Sequence, residues 1–156
     1  MTETVRREGD RIVLRYERFL PHPVEDVWRA ITDPEEINAW WGTKPEIDLR
    51  VGGEYVSNHA TGDRVVDQIV RLEPPHLLVH TFWQHLNPDA LVTYELTAIA
   101  NGTLLALTHE MTENDLRNAA EKMNWDGDIY DLMSRTAAGW PRLLTALKES
   151  LDAKLA

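Results

Sequence analysis

The sequence predicts an α+β domain in which a twisted antiparallel sheet wraps a long C-terminal helix, with a small-molecule cavity between them. Three features carry this reading. Strand-like segments follow one another from Glu46 to Glu110 with only short turn signals between them, the pattern of antiparallel pairing. After Ile129, the residues Met133, Ala137, Trp140, Leu144, Leu147 and Leu151 recur at three- and four-residue spacing, which makes one helical face. The chain has 156 residues, read as a single domain over 1–156. A domain of this length buries roughly 70% of its unfolded surface, enough for a core and a cavity together.

The elements follow in order. Ile12 to Leu20 mixes β-branched, aromatic and charged residues and reads as the first strand. Pro21 and Pro23 close it, since proline lacks a ladder donor. Val24 to Ile31 reads as a short helix with Val27, Trp28 and Ile31 as its apolar stripe and acids early, where the helix dipole favours them. A second helical piece starts with Asp33 as N-cap and Pro34 in the first position, and shows Ile37, Trp40 and Trp41 on one face. Glu46 to Leu49 and Tyr55 to His59 are strands flanking the turn or bulge signal Val51-Gly52-Gly53. Val65 to Leu72 lies between the turns Thr61-Gly62-Asp63 and Pro74-Pro75. Leu77 to Gln84 follows, then a turn at Asn87-Pro88-Asp89. Leu91 to Ala98 and Thr103 to Glu110 form a hairpin around Asn101-Gly102, the strongest hairpin signal in the chain. Thr112 to Asp128 is polar and reads as a mobile link holding a short helix over Asp115 to Met123. The last helix runs from Ile129 to the end of the chain, with a kink or break at Gly139 and Pro141.

Composition narrows the function classes. With no cysteine there is no disulfide and no thiolate chemistry, which suits a reducing cytoplasm. No segment approaches the ~20 apolar residues of a membrane span, and the polar stretch Met1 to Asp10 has no secretion-signal core. A formal net charge of -10 argues against nucleic acid and anionic membranes as partners. Six tryptophans supply either core packing or an aromatic pocket wall.

Alternation assigns some faces and leaves others open. Val92, Tyr94 and Leu96 point inward, opposite Thr93, Glu95 and Thr97. Tyr55, Ser57 and His59 share a face. Polarity does not choose between Leu78, His80, Phe82 and their odd-numbered neighbours, nor between Leu105, Leu107, His109 and the residues between them. Asp67 and Glu95 are assigned to the outer face, so they are not paired as an acid/base dyad.

A series of stretches then resembles a known family: Pro23-Val24-Glu25-Asp26-Val27-Trp28-Arg29-Ala30, Thr32-Asp33-Pro34-Glu35, Trp40-Trp41-Gly42, and Asp48-Leu49-Arg50-Val51-Gly52-Gly53-Glu54-Tyr55. Glu73-Pro74-Pro75, Val92-Thr93-Tyr94-Glu95-Leu96, Thr108-His109 and Gly139-Trp140 complete it. The chain resembles the START-like (SRPBCC) superfamily, in the branch named after the activator of heat shock protein 90 ATPase, from about Ile12 to Leu151. The resemblance implies a helix-grip fold: a curved antiparallel sheet around the C-terminal helix, with two short helices after the first strand. It implies a cavity for apolar or aromatic molecules, including lipid or polyketide-like ligands. It also turns the Leu78, His80, Phe82 and Leu105, Leu107, His109 faces toward that cavity. The sequence departs from the family at His80, where relatives often carry an aromatic, in the length of Thr112 to Asp128, and at Pro141.

The candidate ligand-binding residues are Trp41, Tyr55, His59, His80 and Phe82 from the first half of the chain, and Tyr94, Leu107, His109, Met133 and Trp140 from the second. His59, His80 and His109 are expected to project inward from different strands. Each would serve as an acid or base near neutral pH, or as a hydrogen-bonded histidine in a semi-polar interior. Tyr55 and Tyr94 would donate hydrogen bonds to a ligand carbonyl or pack in the core. No compact metal-ligand motif appears, and histidines two strands apart sit about 10 Å from one another, too far for one ion. No metal, no cofactor and no catalytic residue is therefore assigned. Gly52-Gly53 lacks the context of a phosphate loop, and no serine sits in a nucleophile elbow. The leading expectation is binding of a small hydrophobic or aromatic molecule by a monomer or homodimer. The alternatives are an enzyme using the same cavity, of cyclase, dehydratase or hydrolase type, and a chaperone ATPase co-regulator.

Overall fold

Alternating residues with polar turns between them give strands that pair in chain order, and the computed structural model, which describes residues 2–155, shows this along most of its length. Eight strands are present among the described residues: β1 (Thr2–Glu8), β2 (Arg11–Leu20), β3 (Glu46–Ile47), β4 (Glu54–Asn58), β5 (Arg64–Glu73), β6 (Leu77–Thr81), β7 (Leu91–Ile99) and β8 (Gly102–Thr112). They form one curved sheet in the order β1-β2-β8-β7-β6-β5-β4-β3. Every pairing is antiparallel. The helices are α1 (Val24–Thr32), α2 (Pro34–Trp41), α3 (Glu113–Lys122), α4 (Ile129–Ala137) and α5 (Gly139–Ala153). The fold is the α+β helix-grip that the sequence implies.

The faces settle as the resemblance implied. Val92, Tyr94 and Leu96 on β7 and Leu105, Leu107 and His109 on β8 are all buried, as are Leu78 and His80 on β6. Trp140, Leu144, Leu147 and Leu151 turn the buried face of α5 onto them. Asp33 caps α2 through the amide of Glu35 at 2.9 Å, with Pro34 in the first position. In the β7–β8 hairpin Ile99 pairs with Gly102, and Asn101 takes a φ of 68° in the loop. Glycine is required next to it, because a Cβ at position 102 would stand 2.3 Å from the carbonyl oxygen of Leu20.

Several expectations change. A strand, β1, precedes the one read as first. It is an edge strand whose described side chains are exposed (Val5 is 70% exposed), so it carries no buried alternation to read. It is held by its ladder to β2 and by Arg7, which bonds the Tyr130 hydroxyl at 2.8 Å and also pairs with Glu113. β6 ends at Thr81, so Phe82 to Gln84 lie in the loop that follows. The C-terminal helix is broken at Ala138, and Pro141 falls in the first turn of α5, where its missing N–H costs no intrahelical bond. The Tyr16 hydroxyl bonds the carbonyl of Ala137 beside the break at 3.2 Å. α5 ends at Ala153; Met1 and Ala156 lie outside the described residues.

The Thr112 to Asp128 segment is built rather than loose. Thr112 and Asp115 make a reciprocal capping box at the start of α3 (Thr112 N–H to Asp115 Oδ2, 2.9 Å; Asp115 N–H to Thr112 Oγ1, 3.0 Å). Leu116, Ala119 and Ala120 bury the inner face of the helix. Asp115 is fully buried and also accepts the amide of Asp89 at 2.9 Å. Replacing Asp115 with alanine leaves the buried amide of Thr112 and the half-buried amide of Asp89 without their acceptor, so urea unfolding of Asp115→Ala should show a loss of roughly 2 kcal/mol. An unchanged midpoint and slope would mean that α3 contributes little to the folded state.

Candidate functional site

The sheet and the α3–α4 pair enclose a cavity of about 280 Å³. Its walls come from four places: Phe82, Trp83, Leu86 and Asn87 on the β6–β7 loop, His109 and Met111 on β8, Leu116, Ala119 and Met123 in and just after α3, and Leu132 and Thr136 on α4. The lining is mainly apolar, with Asn87, His109 and Thr136 as polar points, the usual make-up of a small-molecule site.

The β6–β7 loop is fixed by side chains that reach it from both sides. Asp67 on β5 accepts the amides of Trp83 (3.0 Å) and Gln84 (3.1 Å) and the Thr81 hydroxyl (2.9 Å). Trp83 adopts a φ of 49°, a left-handed conformation costly for a bulky residue, and the Asp67 bonds help hold it. From α3, Asn118 donates to the Leu86 carbonyl at 2.7 Å. Lys122, from the last turn, donates to the His85 carbonyl at 2.7 Å. Asp67 is 2% exposed and shares parity with buried Val65 and Ile69, so its assignment to the outer face is corrected here. A charged side chain is by default assigned to water, and the amides that hold it inside belong to a loop 16 residues away.

His109 joins the cavity to the core. The Trp140 indole N–H donates to His109 Nδ1 at 3.0 Å. An accepting Nδ1 leaves Nε2 to carry the hydrogen of the neutral imidazole. Burial, with His80 adding a smaller repulsion, pushes the His109 pKa down to about 3, so the ring is neutral at physiological pH. Phe82 lies edge-to-face on His109 with centroids 4.7 Å apart, and Trp41 meets Trp140 edge-on at 5.6 Å. Trp41, Phe82, His109 and Trp140 thus form one aromatic cluster.

A second cluster sits along the sheet. Tyr55 stacks on His80 at 4.3 Å, and Tyr94 tilts against the same ring at 5.7 Å. His80 Nδ1 lies 2.5 Å from the Thr81 carbonyl, which can only accept, so Nδ1 carries the hydrogen. Burial lowers the His80 pKa, against smaller opposing effects from the Thr81 carbonyl and Asp67. Burial likewise raises the pKa values of Tyr55 and Tyr94, keeping both phenols protonated. His80 Nε2, Tyr94 Oη and His59 Nε2 are buried with no hydrogen-bond partner in the protein.

Of the candidate residues, the structure brings Phe82 and His109 to the cavity wall. Trp140 and Trp41 back that wall, while Tyr55, His80 and Tyr94 form the inner cluster. His59 tilts against the wall residue Trp83 at 5.1 Å. Leu107 is buried in the core and Met133 packs against it half-buried. Sequence reasoning missed Leu116, Ala119 and Met123, although their three- and four-residue spacing was visible; alanine is too small to mark a helical face strongly. It also missed Leu86 and Asn87, which sit in an irregular loop with no periodicity to read. Among the described residues no three His, Asp or Glu side chains gather where a metal ion would be held.

Comparison with known proteins adds the family. Residues 21–152 match the sequence profile described as activator of Hsp90 ATPase homolog 1-like protein. The chain belongs to this family. Protein MLL2253 from Mesorhizobium loti superposes on it with a TM-score of 0.70 at 25% identity, covering 90% of this chain and 97% of its own. CalU16 from Micromonospora echinospora does so with a TM-score of 0.64 at 28% identity, over 94% of this chain and 70% of its own. DynU16, described as a protein in the dynemicin biosynthetic locus, shares the fold with a TM-score of 0.67 at 21% identity, over 93% of this chain and 48% of its own. No curated protein matches the chain. No helix among the described residues is long and apolar enough to cross a membrane.

In this member of the Hsp90-activator-like family, the buried His109 is expected to make the fold acid-sensitive. Its folded pKa lies below the unfolded value near 6.5, so its stabilising share is complete above pH 6.5 and is lost as the pH falls toward 3. Protonating Nδ1 also removes the acceptor of the Trp140 N–H. Between pH 6 and 5, where few carboxylates titrate, His109→Phe should flatten the dependence of unfolding free energy on pH by roughly 1.4 kcal/mol per pH unit. Equal slopes in variant and parent, measured by urea unfolding across that window, would show that His109 is not held neutral.

Proposed function

We propose that the chain binds a small hydrophobic or aromatic molecule in the cavity between the sheet, the β6–β7 loop and the α3–α4 pair. The observation that carries this is the cavity itself: about 280 Å³, walled chiefly by apolar side chains, with the β6–β7 loop of its wall pinned by buried Asp67 and Asp115. A pre-formed apolar hollow with few oriented polar groups suits a ligand whose body is apolar. Six hydrogen-bonded contacts onto one irregular loop and its ends would have little purpose if the loop only connected two strands. The family supports the same reading at the level of fold, since a fold does not by itself fix a function.

His109 enters this reading as a hydrogen-bond donor through Nε2. Its Nδ1 lone pair is taken by Trp140, and its low pKa makes it a poor base at neutral pH. An enzyme on this cavity would draw its base from elsewhere. A chaperone co-regulator, the activity in the family's description, would act through an outer surface rather than through these interior contacts.

The test is a neutral fluorescent probe, N-phenyl-1-naphthylamine, titrated with the protein. Saturable enhancement is expected. Ala119→Trp, which places an indole in the cavity, should weaken binding by roughly tenfold or more while the far-ultraviolet circular dichroism stays that of the parent. Undiminished probe binding by a folded Ala119→Trp would place the ligand outside this cavity.

A further inference from the structure

The interior holds polar atoms that the apolar cavity does not explain. His80 and Tyr94 are 2% and 1% exposed, yet His80 Nε2 and Tyr94 Oη lack any partner in the protein. A buried polar group left unpaired costs about 1–3 kcal/mol, so natural proteins rarely leave such groups unsatisfied. Their placement is systematic. His80 pairs across the ladder with Val92, and Val92 pairs with His109, so His80 stands on the same rung of the sheet as the cavity-wall histidine. Tyr94 lies on the same inward face of the adjacent strand, its ring 5.7 Å from that of His80. Phe82, two residues after His80, links the pair to the cavity wall through its edge-to-face contact with His109.

We propose that His80 and Tyr94 form an inner polar subsite that accepts a hydroxyl group of the ligand, a phenol or an alcohol on an otherwise apolar body. This rests on the cavity reading above and specifies the ligand class. The chemistry follows from the tautomer. His80 Nδ1–H is committed to the Thr81 carbonyl, so Nε2 offers only a lone pair. It requires a donor. The Tyr94 phenol is protonated and unpartnered, so it has a hydrogen to give. One group that both donates to Nε2 and accepts from the Tyr94 O–H is a hydroxyl. A carbonyl would satisfy Tyr94 and leave Nε2 without a donor. A carboxylate would face the same lone pair near buried Asp67. An ether keeps the acceptor and loses the donor, and it is the sharpest control.

The experiment compares 2-naphthol with 2-methoxynaphthalene by isothermal titration calorimetry. The parent protein is expected to bind the naphthol about tenfold tighter, equivalent to ~1.4 kcal/mol. Tyr94→Phe, which removes one oxygen and keeps the ring, and His80→Phe should each bring the ratio of the two affinities close to one. A ratio near one in the parent, with both compounds bound, would overturn the hydroxyl subsite, leave the cavity reading standing, and mean that the pair is satisfied by water alone. A preference for naphthol that survives in both variants would also overturn it. Binding of neither compound by the parent would refute the subsite together with the cavity reading.

Discussion

Two buried carboxylates hold the cavity open. Asp67 reaches from β5 to the amides of Trp83 and Gln84, and Asp115 reaches from α3 to the amide of Asp89. Between them lies the loop that supplies Phe82, Trp83, Leu86 and Asn87 to the wall. Without those bonds the loop has no ladder of its own, and its Trp83 sits in a backbone conformation that an unconstrained chain would leave. A carboxylate accepting several backbone amides is among the stronger hydrogen-bonded arrangements a protein can build. Placing one at each end of an irregular loop ties that loop to β5 on one side and to α3 on the other.

Much of the fold was legible because it rests on periodicity. Alternation marked β7 as inward at Val92, Tyr94 and Leu96, and helical spacing marked the Trp140, Leu144, Leu147, Leu151 face of α5. Asp33-Pro34 and Asn101-Gly102 marked a helix start and a hairpin because each has a local mechanism. Features set by distant partners were less legible. β1 has no buried face and is defined by its neighbour. Asp67 belongs inside only because a loop far along the chain presents amides to it. The polarity of Thr112 to Asp128 suggested a loose link, whereas its acids and amides are spent on a capping box and on clasping the β6–β7 loop.

The site shows the same division. Of the aromatic and histidine side chains chosen from the sequence, Trp41, Phe82, His109 and Trp140 form one cluster and Tyr55, His80 and Tyr94 another, while His59 lies apart against Trp83. Only Phe82 and His109 among them reach the cavity wall. Its other half comes from α3, α4 and the loop, where tertiary packing, not pattern, decides which residues face the hollow. The two interior histidines differ for a reason that only geometry reveals. Trp140 donates to Nδ1 of His109, which therefore presents an N–H; Thr81 accepts from Nδ1 of His80, which therefore presents a lone pair. One rung of the sheet thus carries a donor on β8 and an acceptor on β6, both on its inner face.

The central claim is the proposal that a small apolar ligand occupies the cavity walled by the β6–β7 loop, α3 and α4 and rests against His109. Indole N–H resonances test it most directly, because the six tryptophans give six separable signals spread over the fold. Titration of the protein with 2-naphthol, followed by two-dimensional ¹H–¹⁵N spectra assigned through single Trp→Phe variants, should move the signals of Trp83, in the cavity wall, and Trp140, bonded to His109. The signal of Trp28 on α1 should stay in place. Movement of Trp28 with Trp83 and Trp140 unaffected would contradict the account.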